Sequence, residues 1–148
     1  MDTLRFASMT VEDIPEVLAF WSTMEGLGLN ESDSPEALER FLDRNPGWSV
    51  VVRDAAGTVV GAVLCGHDGR RGYLHHLATA PNFRRRGVGT RLVERCLETL
   101  AAQSISKCNI FVYDDNDQGH AFWLRLGFRR REWSVLQRAT QRQANPSS

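Results

Sequence analysis

The stretch Arg84-Arg85-Arg86-Gly87-Val88-Gly89-Thr90 constrains this chain more than any other. It follows a short apolar run, Tyr73 to Thr79, and a turn at Ala80-Pro81-Asn82. It leads into the strongest helical pattern of the sequence, from about Gly87 to Gln103, where Val88, Leu92, Val93, Cys96, Leu97 and Leu100 recur on one face. A strand, a glycine-bearing loop and a helix start make an anion site. The first N–H groups of a helix lack intrahelical partners, and the helix dipole places partial positive charge there. Gly87 and Gly89 carry no Cβ, so the backbone can approach an anion closely. Arg84, Arg85 and Arg86 add full positive charge at the rim.

The rest of the chain supplies a sheet for this unit. Leu4 to Ser8 reads as a strand, followed by a helix with Ile14, Val17, Leu18 and Trp21 at helical spacing and Thr10 with Asp13 as a capping pair. Glu25 to Asp33 reads as an exposed loop. Ser34-Pro35 starts a second helix that Asn45-Pro46-Gly47 stops. Trp48 to Arg53 and Thr58 to Cys65 form a hairpin, Tyr73 to Thr79 is the fourth strand and Cys108 to Tyr113 the fifth. A short helix from about Gly119 to Leu126 and one or two strands over Phe128 to Leu136 complete the pattern. This is one mixed α/β domain over residues 1–139, with a polar, disordered tail over 140–148.

Charge narrows the partners. Acidic and basic residues number 18 each, so no global field draws the chain to nucleic acid or an anionic membrane. Nucleic-acid binding through Arg84–Arg86 and Arg129–Arg131 is a competing reading, weakened by that neutrality and by the lack of an aromatic stacking motif. Cys65, Cys96 and Cys108 sit in apolar patterns without metal-ligand spacing, so buried free thiols and no metal are expected. The N-terminus lacks the apolar core of a signal peptide, and a cytoplasmic protein is expected.

Two nucleotide readings of the glycine loop fail. A P-loop ends in Gly-Lys-Ser/Thr, and Val88-Gly89-Thr90 has no lysine. A dinucleotide fingerprint needs glycine two before Gly87, where Arg85 stands. What fits is Arg-x-x-Gly-x-Gly at Arg84 to Gly89. With Leu77-Ala78-Thr79-Ala80-Pro81 before it, Asn116 after the fifth strand, and Ala121-Phe122-Trp123-Leu124-Arg125-Leu126-Gly127-Phe128, the chain resembles the GNAT superfamily of acyl-CoA-dependent N-acyltransferases from Leu4 to about Arg138. The resemblance implies a mixed central sheet, mostly antiparallel, with the fourth and fifth strands a splayed parallel pair, and about four helices. It implies acetyl-CoA as donor, with main-chain N–H groups from Arg85 to Thr90 on the pyrophosphate. Leu77, Ala78 and Thr79 would pair with the pantetheine arm, and Asn116 would touch the arm or an ordered water. It also implies a primary amine acceptor, on a small molecule or a peptide, and edge-strand pairing into a homodimer.

N-acylation by a thioester needs a neutral amine, a stabilised oxyanion and a departing thiolate. Strand alternation puts His75, Leu77 and Thr79 on one face of the fourth strand and Leu74, His76 and Ala78 on the other. His75 stands where family members often carry a glutamate and is the candidate general base, directly or through water. His76 is the weaker candidate, and His67 and His120 read as surface groups in polar turns. A main-chain N–H near Leu77 or Ala78 would hold the oxyanion. The family often places a tyrosine acid where Trp123 stands, and an indole N–H donates a hydrogen bond but no proton near neutral pH. Trp123 therefore reads as a pocket wall. A non-catalytic acyl-CoA-binding module is the alternative. In the loops that would wall the acceptor pocket, Glu25, Glu31 and Asp33 suit an ammonium group, and Arg70 and Arg71 a carboxylate.

Overall fold

The computed structural model describes residues 3–141. They fall into two compact units, residues 3–111 and residues 112–141. The first holds a five-stranded sheet in the order β1 (Arg5–Ser8), β2 (Val50–Arg53), β3 (Val59–His67), β4 (Gly72–Thr79) and β5 (Cys108–Ile110). The first three pairings are antiparallel and β4–β5 is parallel. Helices α1 (Ile14–Ser22), α2 (Pro35–Arg44) and α3 (Val88–Ala102) belong to the same unit, and α4 (Asp117–Arg125) to the second.

The strands bury both faces. On one face Val51, Ala62, Leu64 and Ala78 join Ile14, Val17 and Trp21 of α1 and Leu38 and Leu42 of α2 in one apolar cluster. The alternate residues Val50, Val52, Val63, Cys65 and Leu74 are buried on the other face, where Val88, Leu92, Val93, Cys96 and Leu100 form the inner stripe of α3. Gly72 lets α3 come close, since a Cβ there would stand 2.7 Å from Leu100 Cδ1. Cys65 and Cys96 are buried and Cys108 is half-buried, all as free thiols. Burial pushes the Cys108 thiol up to about 12.

The helix starts follow the sequence. The Ala37 N–H donates to Ser34 Oγ at 3.1 Å, and the Thr10 N–H donates to Asp13 Oδ2 at 2.8 Å. Asp13 and Glu16 also hold the Arg53 guanidinium, each at 2.8 Å, tying α1 to β2.

Several elements differ from the sequence reading. β5 ends at Ile110 instead of Tyr113, and residues 128–139 form no strand. Alternation signals a strand only when a neighbour completes the ladder, and residues 129–140 are exposed throughout. Glu25 to Asp33 is not a fully solvated loop. Glu31–Asp33 is a 3-10 turn, Asp33 is 8% exposed, and Met24 and Leu27 pack on the core. The register of β4 also breaks its simple alternation, with consequences described below. Of the predicted tail, residues 142–148 lie outside the described residues.

Candidate active site

The site is built on β4. Gly72, Tyr73 and Leu74 pair with Cys108, Asn109 and Ile110, and the parallel ladder then stops while β4 runs on to Thr79. This is the parting of the fourth and fifth strands that the resemblance implies. Main-chain groups of β4 beyond Leu74 therefore lack a strand on that side.

A bulge marks the same place. Leu64 of β3 faces His75 and Ala62 faces Ala78, so one residue of β3 is matched by two of β4. His76 is the residue with positive φ, 56°. Histidine tolerates this left-handed backbone better than most residues, but it is uncommon outside glycine. The extra residue overturns the predicted alternation. Leu74 is buried on the α3 face, and Ala78 joins the cluster on the α1–α2 face. His76 does not follow Leu74, because its ring meets Trp21 of α1 edge-on, with centroids 5.2 Å apart. Both histidines consequently stand on the side of α1 and α2.

Their surroundings differ. The His75 ring lies among other rings: Tyr73 at 6.2 Å, Phe111 at 5.9 Å and Phe41 of α2 at 6.1 Å between centroids. Burial, and then the neighbouring His76, hold its pKa below the ordinary histidine value, against a smaller opposite pull from Asp33. His75 is thus a neutral ring at pH 7. His76 instead has a carboxylate partner, with Nε2 at 2.9 Å from Asp33 Oδ1. The other Asp33 oxygen accepts the Asn30 N–H at 3.1 Å. Asp33 was expected as a solvated acid of the acceptor loop, and the structure gives it a buried structural partner. Its link to His76 spans 43 residues, and no local pattern reveals such a contact. Beside them, Trp21 Nε1 is buried with no hydrogen-bond partner among the described residues, which costs about 1–3 kcal/mol relative to a paired donor.

The glycine loop lies past the end of β4. Arg85 and Gly87 both have positive φ, 64° and 77°. Left-handed residues at this spacing turn successive N–H groups toward one point, a nest for an anion. Gly87 is the N-cap of α3, and no side chain caps the helix. A Cβ at Gly87 would meet nothing within 4 Å, so the approach to the loop is open. These features fit a pyrophosphate. Arg84 turns away from the role of a rim charge: its Nε donates to Thr79 O at 3.1 Å and its Nη2 lies 3.8 Å from Met24 Sδ. Its job is to fix the loop to the end of β4.

Residues 14–128 match the family model described as "Acetyltransferase (GNAT) family". The chain belongs to this family. It is therefore an acyl-CoA-dependent N-acetyltransferase with acetyl-CoA as donor. Among curated relatives, an acetyltransferase of Sodalis glossinidius is 32% identical over 126 residues, covering 84% of this chain and 86% of the relative. Among solved structures, a GNAT acetyltransferase of Staphylococcus aureus Mu50 has a TM-score of 0.76 at 15% identity, covering 97% of this chain and 95% of that one. The PaiA N-acetyltransferase of Thermoplasma acidophilum, crystallised with coenzyme A, has a TM-score of 0.75 at 17% identity, covering 89% and 93%.

In the second unit, Asn116 is the N-cap of α4, its Oδ1 accepting the Gly119 N–H at 2.9 Å. Gly119 permits this closure, since a Cβ there would be 2.5 Å from Asn116 Nδ2. Trp123 meets Phe122 and Phe128 edge-on, both at 5.0 Å. This half-buried cluster is the setting of a packing aromatic. His120 lies on α4 and not in a turn, with Nε2 at 3.1 Å from Tyr113 O. His67 likewise tilts against Trp48 at 4.6 Å. Among the described residues there is no cluster able to hold a metal ion, and no helix long and apolar enough to cross a membrane.

Proposed function

We propose that this GNAT enzyme transfers the acetyl group of acetyl-CoA to a primary amine of a small molecule or peptide by direct attack in a ternary complex, with residues 1–139 acting as one transferase domain. The observation that carries the proposal is the left-handed pair Arg85 and Gly87 at the uncapped start of α3, reached directly from a strand that has parted from its neighbour. The thioester supplies an activated acyl group. Main-chain N–H groups from Arg85 to Thr90 hold the pyrophosphate. Leu77, Ala78 and Thr79 lie in the part of β4 without a β5 partner, where their backbone groups serve the pantetheine arm and the oxyanion. Thr79 O is engaged by Arg84, which leaves the groups before it for the arm. Asn116, already a helix cap, would touch the arm through its amide nitrogen.

Base catalysis falls to β4. His75 occupies the family position, is neutral at pH 7, and stands against Tyr73 and Phe111. His75 and the adjacent His76 are the two groups of this strand able to take the amine proton, directly or through water. The thiolate leaves to water, because Trp123 supplies no proton. That same tryptophan favours a second reading, an acyl-CoA-binding module without turnover. A screen of amino acids, polyamines, arylalkylamines and short peptides, with thiol release as readout, separates the two. Release that depends on both acetyl-CoA and an amine supports the transferase. Tight coenzyme A binding without release on any acceptor supports the module. The cytoplasm and self-association through the sheet edges belong to the same proposal, and sedimentation reads the latter.

A further inference from the structure

Two histidines reach the α1–α2 side of β4, and only one is held as bases usually are. The His75 ring has aromatic neighbours, and among the described residues neither of its nitrogens has a hydrogen-bond partner. The His76 ring is fixed three ways. Asp33 Oδ1 stands 2.9 Å from Nε2, Trp21 meets the ring edge-on at 5.2 Å, and a backbone at φ 56° in the bulge aims it. Uncommon backbone at a bulge costs stability and persists where the surroundings impose it, often at functional sites. Trp21, the ring's aromatic neighbour, is itself fully buried and its indole N–H has no hydrogen-bond partner among the described residues, so a polar group is left unsatisfied beside this histidine.

We infer that His76 is the group that takes the acceptor amine's proton, with Asp33 as its positioning residue. This rests on the transferase reading and names the base within it. A carboxylate only accepts hydrogen bonds, so Asp33 receives Nε2–H, and the neutral ring keeps its lone pair on Nδ1. As the amine nitrogen bonds to the acyl carbon, its proton passes to Nδ1 and the carbon–sulfur bond breaks with its electron pair on sulfur. The thiolate then takes a proton from water, and the imidazolium, opposite Asp33, returns its own to solvent. The charged or titratable groups facing the ring are Asp33 from the loop before α2 and His75 from β4, while α1 contributes only the indole of Trp21. His75 then serves as a neutral wall of the acceptor site.

The test uses the full chain with acetyl-CoA and three amines: benzylamine, spermidine and glycyl-lysine. His76→Gly suits the left-handed backbone, so the variant keeps the bulge, and calorimetric coenzyme A binding checks that it folds. Its kcat/KM should fall about 100-fold, the lower range for loss of a general base, and added imidazole should restore part of it. Asp33→Asn should lower kcat about tenfold and move the acidic limb of the pH profile, with the KM for acetyl-CoA unchanged. His75→Ala should keep that limb. Wild-type rates in His76→Gly, or a profile changed only by His75→Ala, overturn the inference. Nitrogen-15 NMR of the histidine rings gives a readout that needs no acceptor. The expected state at pH 8 is a proton on His76 Nε2, lost or mixed in Asp33→Asn, whereas a proton on Nδ1 overturns the inference whatever the amine. If the wild-type protein releases no thiol with these amines, the transferase reading fails for them and the base assignment falls with it, whereas the NMR result still reports whether Asp33 positions the His76 ring.

Discussion

Gly89 is the second residue of α3, in a turn whose N–H groups have no side-chain cap. A tryptophan there should cover the anion site. Gly89→Trp should abolish coenzyme A binding by calorimetry while the far-ultraviolet circular dichroism stays native. Unchanged binding would show that the loop does not hold the pyrophosphate. Gly72 has the opposite character, because its missing Cβ is needed for packing. A methyl group there would press on Leu100 at 2.7 Å, so Gly72→Ala should lower stability by about 1–3 kcal/mol, the usual range for overpacking. Urea unfolding measures this, and coenzyme A affinity should be spared, since Leu100 lies at the far end of α3 from the loop.

Among the elements, α2 illustrates what local chemistry fixes. Ser34 and Pro35 announce the helix start in the sequence, and the structure has the Ser34 cap in place. Ser34→Ala should cost about 1 kcal/mol, as cap losses usually do, and thermal unfolding reads it. β4 illustrates what local chemistry does not fix. Its existence and its place before the glycine loop are legible, because apolar runs and punctuation by Ala80-Pro81-Asn82 need only neighbours in sequence. The bulge is not legible, since it depends on how β3 aligns with β4, and one inserted residue changes the face of every side chain beyond it. Simple alternation therefore groups His76 with Leu74, which the bulge undoes, and it leaves Asp33 without its distant partner. β5 and the residues after Phe128 fail for a related reason: a strand pattern states a preference, but only a pairing edge realises it.

At the scale of the molecule, titration should shape stability from two places. Burial holds the folded His75 below the ordinary histidine value of 6.5. As pH falls through that value the unfolded chain takes a proton first, so stability is complete above it and declines below. Urea midpoints should therefore drop between pH 7 and pH 5, and His75→Gln should flatten that part of the curve. For Asp13, burial pulls upward, but the Thr10 N–H and the Arg53 guanidinium outweigh it and leave the carboxyl below its ordinary 3.8. Its contribution is complete above that value and lost in stronger acid.

Arg84 has a further consequence. One guanidinium grips the last carbonyl of β4 and touches Met24, at the head of the segment that carries Asp33. A donor settling on the phosphate loop should thereby steady the segment that carries Asp33. The enzyme should then load its substrates in a fixed kinetic order, acyl donor before amine. A dead-end amine analogue should accordingly be uncompetitive against acetyl-CoA, and Arg84→Ala should make that order random.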